Sequence, residues 1–384
     1  MRKICVVTGS RAEYGLLNSL MSAIKSDEEM HLQIIATNMH LSPEFGLTYK
    51  EIERDGFHID KKVEMLLSAD TANATTKSVG LATIGFADAY EDLKPDLIVV
   101  LGDRFEILAA VSAALFFKIP VAHLHGGEIT EGAYDDCIRH AITKMSHFHF
   151  TSAEEYRKRV IQLGEQPNNV FNVGAIGVEN IKSASLLSKE EFEKSIDFSL
   201  GDKSLLITYH PVTLEKSTAQ EQCKNLLSAL GELPEYRFIF TYPNSDTDGR
   251  LIINLINEFV QKYPDRAVAF NSLGKVRYLS ALQYVTAVVG NSSSGIIEVP
   301  SFGIPTLNIG DRQKGRMAAE SVIHCGPSLS EISTSLRFVL SEDFLLKAKH
   351  ISNPYEKKDT VNSILQVLKT ISLGNVVRKK FYNL

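Results

Sequence analysis

Only four cysteines occur in the 384 residues, and no two of them form a Cys-x-x-Cys pair. Cys5, Cys137, Cys223 and Cys325 are scattered and belong to no His/Cys cluster at metal spacing, so reduced thiols are expected and no disulfide framework. No segment approaches the roughly 18 uninterrupted apolar residues of a membrane-spanning helix. The start, MRKICVVTGS, is basic and briefly apolar, but it reaches Arg11 and Glu13 without a signal-peptide core or cleavage site, and a cytoplasmic location is expected. No large excess of either charge is present, with 41 Lys and Arg against 46 Asp and Glu. The formal net charge of -5 excludes a broadly basic nucleic-acid binder, and 44% apolar against 23% charged residues excludes a disordered chain. The length suffices for two domains with cores of their own.

What is present is alternation. Apolar runs at Ile4–Thr8, His31–Thr37, Leu97–Leu101, Val121–Leu124, His147–Thr151 and Val170–Val173 read as strands. Between them lie helical patterns such as Leu16, Leu17, Leu20, Met21 and Ile24, the short stretch Lys50–Phe57, Val79–Leu93 and Ile107–Phe117. The polar stretch Ser68–Ser78 reads as an exposed loop. Repeated strand and helix units predict a parallel sheet covered on both faces. A connector at 175–202 precedes a second series: Leu205–Tyr209 ending at His210, Phe238–Thr241 ending at Tyr242-Pro243-Asn244, and Ala267–Phe270. The expected fold is α/β, with two Rossmann-like doubly wound domains facing across a cleft. The domains are read as 1–174 and 175–359, followed at 360–384 by a helix that crosses back and a loose tail from Arg378.

The most suggestive stretch is VVGNSSSGIIEVPSFGIPTLNIGDRQKGR, from Val288 to Arg316. An apolar run ends at Gly290, Ser292, Ser293, Ser294 and Gly295, where a helix begins; a second run reaches Gly310, Asp311, Arg312 and Gln313. Hydroxyls, amides and a guanidinium at neighbouring strand ends are what a nucleotide diphosphate requires. An ordinary serine-rich turn is the bland alternative.

In the first half, GSRAEYG follows the first strand without forming G-x-G-x-x-G, and Thr37-Asn38 closes the second strand with no acidic residue. A dinucleotide cofactor is therefore not expected. Arg11, beside Ser10, reads as a phosphate clamp or a surface ion pair. Asp103 and Arg104 emerge from a buried strand, where a carboxylate meets a substrate hydroxyl, moves a proton, or merely caps a helix. The segment HLHGGEITEGAYDDCIRH gathers three His, two Glu and two Asp around Gly126-Gly127. Its Asp135 opens a helix with Arg139 one turn later. Strand alternation puts His123 and His125 on one face, so a zinc site competes with proton transfer; the cationic partners favour proton transfer, with no metal.

Together these motifs resemble the UDP-N-acetylglucosamine 2-epimerase superfamily, and within it the hydrolysing bacterial enzymes of sialic-acid and legionaminic-acid biosynthesis. The resemblance runs through GSRAEYG, LGDR, HLHGGE, YDDCIRHAITK, YHP, GNSSSG with its following Glu298, and GDRQKGR. It implies a GT-B-like fold with UDP held by the second domain and the sugar facing the first, and no cofactor. The implied reaction expels UDP as C2 is deprotonated, then hydrates the glycal-type intermediate to the free C2 epimer. Carried over, the proton-transfer carboxylates match Asp103 and Asp135, with Asp136 adjacent. The strand-end Glu of many relatives is His125 here, which leaves the C2 base open between His125, Glu128 and Asp135. Arg11, Ser292, Ser293 and Arg312 match phosphate contacts, His210 the imidazole near the pyrophosphate, and Glu298 the ribose carboxylate. Ser10, Arg104, Arg139, Ser294, Gly295 and Gln313 complete the expected substrate contacts. Leu16 stands near where non-hydrolysing relatives carry a Lys. UDP-N-acetylglucosamine is placed first as substrate, ahead of UDP-2,4-diacetamido-2,4,6-trideoxyglucose; a GT-B glycosyltransferase and a non-catalytic UDP-sugar sensor are the other readings. A homodimer or homotetramer is expected, with no nucleic-acid or membrane partner.

Overall fold

The first apolar run forms β1 (Arg2–Thr8) inside a seven-stranded parallel sheet. The structure is a computed structural model that describes residues 1–69, 71–131, 133–183, 185–212, 218–243 and 249–384. β1 is followed by β2 (Met30–Thr37), β3 (Lys61–Val63), β4 (Leu97–Leu101), β5 (Val121–Leu124), β6 (Phe148–Thr151) and β7 (Val170–Asn172), in the order β3-β2-β1-β4-β5-β6-β7. The chain moves outward from β1 to β3, then crosses back to β4. The strand order thus reverses between β1 and β4, the crevice where ligands of such sheets bind. Burial explains the apolar strands: Leu97, Ile98, Val99 and Val100 are all 0% exposed, as a strand covered on both faces must be.

The second sheet holds β8 (Ser204–Thr208), β9 (Arg237–Thr241), β10 (Ala267–Phe270), β11 (Ala287–Gly290), β12 (Thr306–Ile309) and β13 (Val322–Cys325), all parallel, in the order β10-β9-β8-β11-β12-β13. Its reversal falls between β8 and β11. No described helix is long and apolar enough to cross a membrane.

Two compact units result, one comprising 1–128, 135–180 and 355–384, the other 129–134 and 181–354. The boundaries expected at 174 and 359 therefore shift, and the short excursion 129–134 joins the second unit, where the Glu131 N–H donates to the Lys314 carbonyl at 3.2 Å. The helix Thr360–Thr370 belongs to the first unit: Thr360 Oγ1 donates to the Val173 carbonyl at 2.6 Å, and Ile364 and Leu368 join the cluster that contains Leu17 and Met21.

Two expectations need correction. Most of the loop read at Ser68–Ser78 is the start of a helix, Ala72–Leu93, because the Thr71 side chain accepts the Ala74 N–H as a cap and Ala74 and Ser78 are small enough to bury. The tail is tied down instead of loose. Tyr382 N–H donates to the Gly164 carbonyl at 2.9 Å, and Lys379 pairs with buried Glu165 at 2.7 Å. Asp70, within the expected loop, and Asn244, at an expected strand end, lie outside the described residues.

Candidate functional site

In the first unit the strand ends collect most of the expected residues. Ser10 caps the helix Arg11–Ser26 by accepting the Glu13 N–H at 3.3 Å, and Glu13 in turn accepts the Gly9 N–H at 2.6 Å. Arg11 pairs with Glu51 at 2.6 Å. After β4, Gly102 turns the chain with φ +80, and Arg104 pairs with Glu106 at 2.9 Å.

The segment after β5 is built around two residues with positive φ. His125 has φ +65, which takes it out of the strand while its N–H still donates to the Phe150 carbonyl at 2.8 Å. Gly127 has φ +79, and a Cβ there would sit 2.5 Å from the Tyr156 carbonyl oxygen, so only glycine fits. This turn swings Glu128 back: its Oε1 lies 2.8 Å from His125 Nδ1 and accepts from Ser152 Oγ at 2.6 Å. Both Glu128 and His125 are buried, and His125 Nε2 is left without a hydrogen-bond partner among the described residues. An imidazole whose Nδ1–H is fixed by a carboxylate presents a lone pair at Nε2, the arrangement of an oriented base.

The expected pairing of His123 with His125 on one face does not form. His123 stays in β5, where Nε2–H donates to the Gly102 carbonyl at 2.7 Å and Nδ1 lies 3.2 Å from Thr143 Oγ1. Burial pushes this imidazole down to about 3, with the neighbouring histidines adding to the effect, so it is a neutral prop for the Gly102-Asp103 turn.

Arg139 joins the remaining groups. It is 1% exposed, donates from Nη1 to the Glu128 carbonyl at 2.8 Å, and pairs with Asp103 through Nη2 and with Asp136 at 3.3 Å. The helix that carries it runs Asp135–Met145, so Asp135 opens it as expected and is itself buried. Asp103, Glu128, Asp136 and Arg139 thus form one network, with His125 attached through Glu128.

In the second unit the knot is a residue the sequence reading passed over. Asn291 is 0% exposed; its Oδ1 accepts the His210 N–H at 2.7 Å and its Nδ2 donates to the His210 carbonyl at 2.8 Å. Its own carbonyl accepts from Arg312 Nη1 at 3.2 Å and Gln313 Nε2 at 3.0 Å. One asparagine thereby ties together the ends of β8, β11 and β12. Gly290 before it is obligatory, since a Cβ would lie 1.9 Å from the Thr208 carbonyl oxygen. The helix expected after the serines is a single turn, Ser294–Ile297, succeeded by a 3-10 turn at Val299–Phe302, because Pro300 has no N–H to continue it. Its dipole is correspondingly small. Ser293 makes no capping bond, Ser294 Oγ lies 2.5 Å from the Tyr278 hydroxyl, and Gly295 packs against Thr306. Glu298 is buried, and Ser292 stands beside Asn291.

Two parallel α/β domains of this design place the protein in the GT-B-like class. A solved structure of the same fold is the UDP-GlcNAc 2-epimerase from Neisseria meningitidis bound to UDP-GlcNAc, with TM-score 0.79 and 19% identity over 96% of this chain and 100% of that one. The chain belongs to the UDP-N-acetylglucosamine 2-epimerase family, which matches residues 22–369. Among its relatives, the GDP/UDP-N,N'-diacetylbacillosamine 2-epimerase (hydrolyzing) of Campylobacter jejuni is 44% identical over 100% of this chain and 99% of its own length. The UDP-N,N'-diacetylbacillosamine 2-epimerase (hydrolyzing) of Legionella pneumophila is 36% identical over 99% of both chains.

Proposed function

We propose that the protein is a hydrolysing 2-epimerase that converts UDP-2,4-diacetamido-2,4,6-trideoxyglucose and water to UDP and the free sugar inverted at C2, a precursor of legionaminic acid. The observation that carries the choice of sugar is identity along the whole chain with two relatives named for this substrate. The preference for UDP-N-acetylglucosamine given by the motifs alone yields to it, since a relative named UDP-N-acetylglucosamine 2-epimerase, from Neisseria meningitidis, is less similar, 31% identical over 84% of both chains.

The chemistry assigned to the first unit follows from its network. A base takes the C2 proton, the C1–O bond breaks toward UDP, and a C1=C2 double bond forms. Water then adds its oxygen to C1 while a proton is delivered to C2 from the opposite face. His125 Nε2, oriented through Nδ1 by Glu128, is assigned the first proton transfer; Asp103 and Asp135 are assigned the second and the activation of water. Arg139 holds Asp103 and Asp136 in place. The sugar keeps its redox state, so no cofactor is needed, and full activity is expected after exhaustive chelation. Loss of activity restored by zinc alone would contradict this.

The second unit is assigned the nucleotide, with Arg312 and Ser293 on the diphosphate, His210 beside it and Glu298 on the ribose. Arg312→Ala is expected to weaken UDP binding by about 10- to 100-fold, the worth of a charge-assisted contact. Ser293→Ala should cost less. Calorimetric titration with UDP checks both, and an unchanged affinity in the Arg312 variant would remove it from the site. A homodimer or homotetramer is supported by exposed Leu81, Ile84, Leu115 and Phe116 on the helices Ala72–Leu93 and Phe105–Phe117, whereas sedimentation as a monomer would contradict it.

A further inference from the structure

Beneath the first unit's strand ends, two buried carboxyl side chains lie beside one partly exposed guanidinium. Glu13, in the first turn of the helix Arg11–Ser26, is 6% exposed; Glu106, in the first turn of the helix Phe105–Phe117, is 0% exposed. Both close on Gly9. Its N–H donates to Glu13 Oε2 at 2.6 Å, and a Cβ built on it would lie 2.3 Å from Glu106 Oε1. Glu106 Oε1 also accepts from Arg104 Nε at 2.9 Å. The remaining oxygens, Glu13 Oε1 and Glu106 Oε2, are buried without a hydrogen-bond partner among the described residues.

Two carboxylates against one guanidinium would leave a net negative charge out of reach of water, which such a site avoids by retaining a proton. A retained proton also supplies the donor that the free oxygens lack. We propose that Glu13 and Glu106 hold one proton between them at neutral pH and act as a positioning pair, keeping Arg104 Nε on Glu106 and fixing the Gly9–Arg11 turn at the sugar-facing strand ends. Glu13 is the protonated member: burial, and next the Glu106 charge, push it up to about 8 against the pull of the Gly9 and Ser10 amides and of Arg104. The groups that bear on it are thus Glu106 and Arg104 from the β4 side and the two amides from its own turn. Above that pH the pair carries two charges, Arg104 is shared between them, and the turn loses its fixed geometry.

Only the kinetic arm of the test rests on the proposed epimerase reaction. In the infrared spectrum of the wild-type protein, a protonated-carboxyl C=O band is expected at neutral pH, titrating away near pH 8 and missing from Glu13→Gln. No such band, or one unchanged in the variant, would overturn the proposal. If Glu13→Gln does not fold, Gly9→Ala serves, because its methyl group would displace the Glu106 carboxyl; its band should titrate at a different pH, and an unshifted titration would count against the pair. A folded-state pKa above the unfolded carboxyl value means that stability is lost as pH rises from about 4.3 toward 8. The melting temperature of the wild type relative to Glu13→Gln should therefore fall across that window, and a constant difference would contradict the assignment. Kinetically, Glu13→Gln keeps most turnover at neutral pH while its alkaline limb moves upward, whereas Glu106→Gln, which removes the carboxylate charge from Arg104 Nε, loses about 10-fold in kcat/KM. An alkaline limb shared by wild type and Glu13→Gln would refute the positioning role. If the wild type released no free sugar, the epimerase reading would fail while the infrared result stood.

Discussion

Asp103→Asn and Asp135→Asn are each expected to lower kcat by about 10²- to 10⁴-fold, the usual worth of a positioned acid or base, while UDP affinity stays at the wild-type value. The two residues begin from different surroundings. Asp103 is ion-paired with Arg139, and its side chain is 24% exposed; Asp135 is buried at the start of its helix. Asparagine keeps shape and hydrogen bonding but removes the charge and the capacity to exchange a proton. Single-turnover assays with UDP calorimetry separate the two roles, and wild-type turnover in either variant would refute its part. A large drop in melting temperature in Asp103→Asn, unaccompanied by a loss of turnover per folded molecule, would make its bond to Arg139 the main function.

Arg139→Met is expected to destabilise the protein by about 3–5 kcal/mol, because a guanidinium that is 1% exposed is held by two carboxylates and a backbone carbonyl. Removing it leaves the Glu128 carbonyl without this donor, and Asp103 and Asp136 without this cation. For a unit of this size the melting temperature should fall by roughly 6–20 °C. Arg139→Lys keeps the charge but has no planar fork, so it should recover part of the stability and little of the activity. Scanning calorimetry checks the first claim, and a methionine variant that melts with the wild type would show that the network carries no stability.

The alternating units were legible because strands buried on both faces read as unbroken apolar runs: Leu97–Leu101 and Val121–Leu124 appear as strands within their expected bounds. Two of the four edge strands, β3 and β13, were not, although the edge strands β7 and β10 were. Lys61 and Lys62 occupy most of β3, and exposed His324 interrupts β13, because an edge strand needs no apolar face toward solvent. The helix beginning at Ala72 was hidden by its small polar residues, whose burial depends on partners elsewhere in the chain. Within the site, the residue types and the strand-end positions of Ser10, Asp103 and His125 could be read, since a parallel sheet sends all its carboxyl ends to one rim. Their partnerships could not. The left-handed turn at His125, the return of Glu128 to meet it, and the double bond of Asn291 with His210 join residues whose spacing carries no signal of contact.

The most direct test of the proposed function is to incubate the purified protein in D₂O with UDP-2,4-diacetamido-2,4,6-trideoxyglucose and, separately, with UDP-N-acetylglucosamine, and to follow both by NMR. The proposal predicts release of UDP and a free sugar with inverted C2 carrying solvent deuterium there, and a higher kcat/KM for the diacetamido substrate. A preference for UDP-N-acetylglucosamine would contradict the assigned sugar, and release of UDP without a C2-deuterated epimer would contradict the hydrolysing epimerase itself.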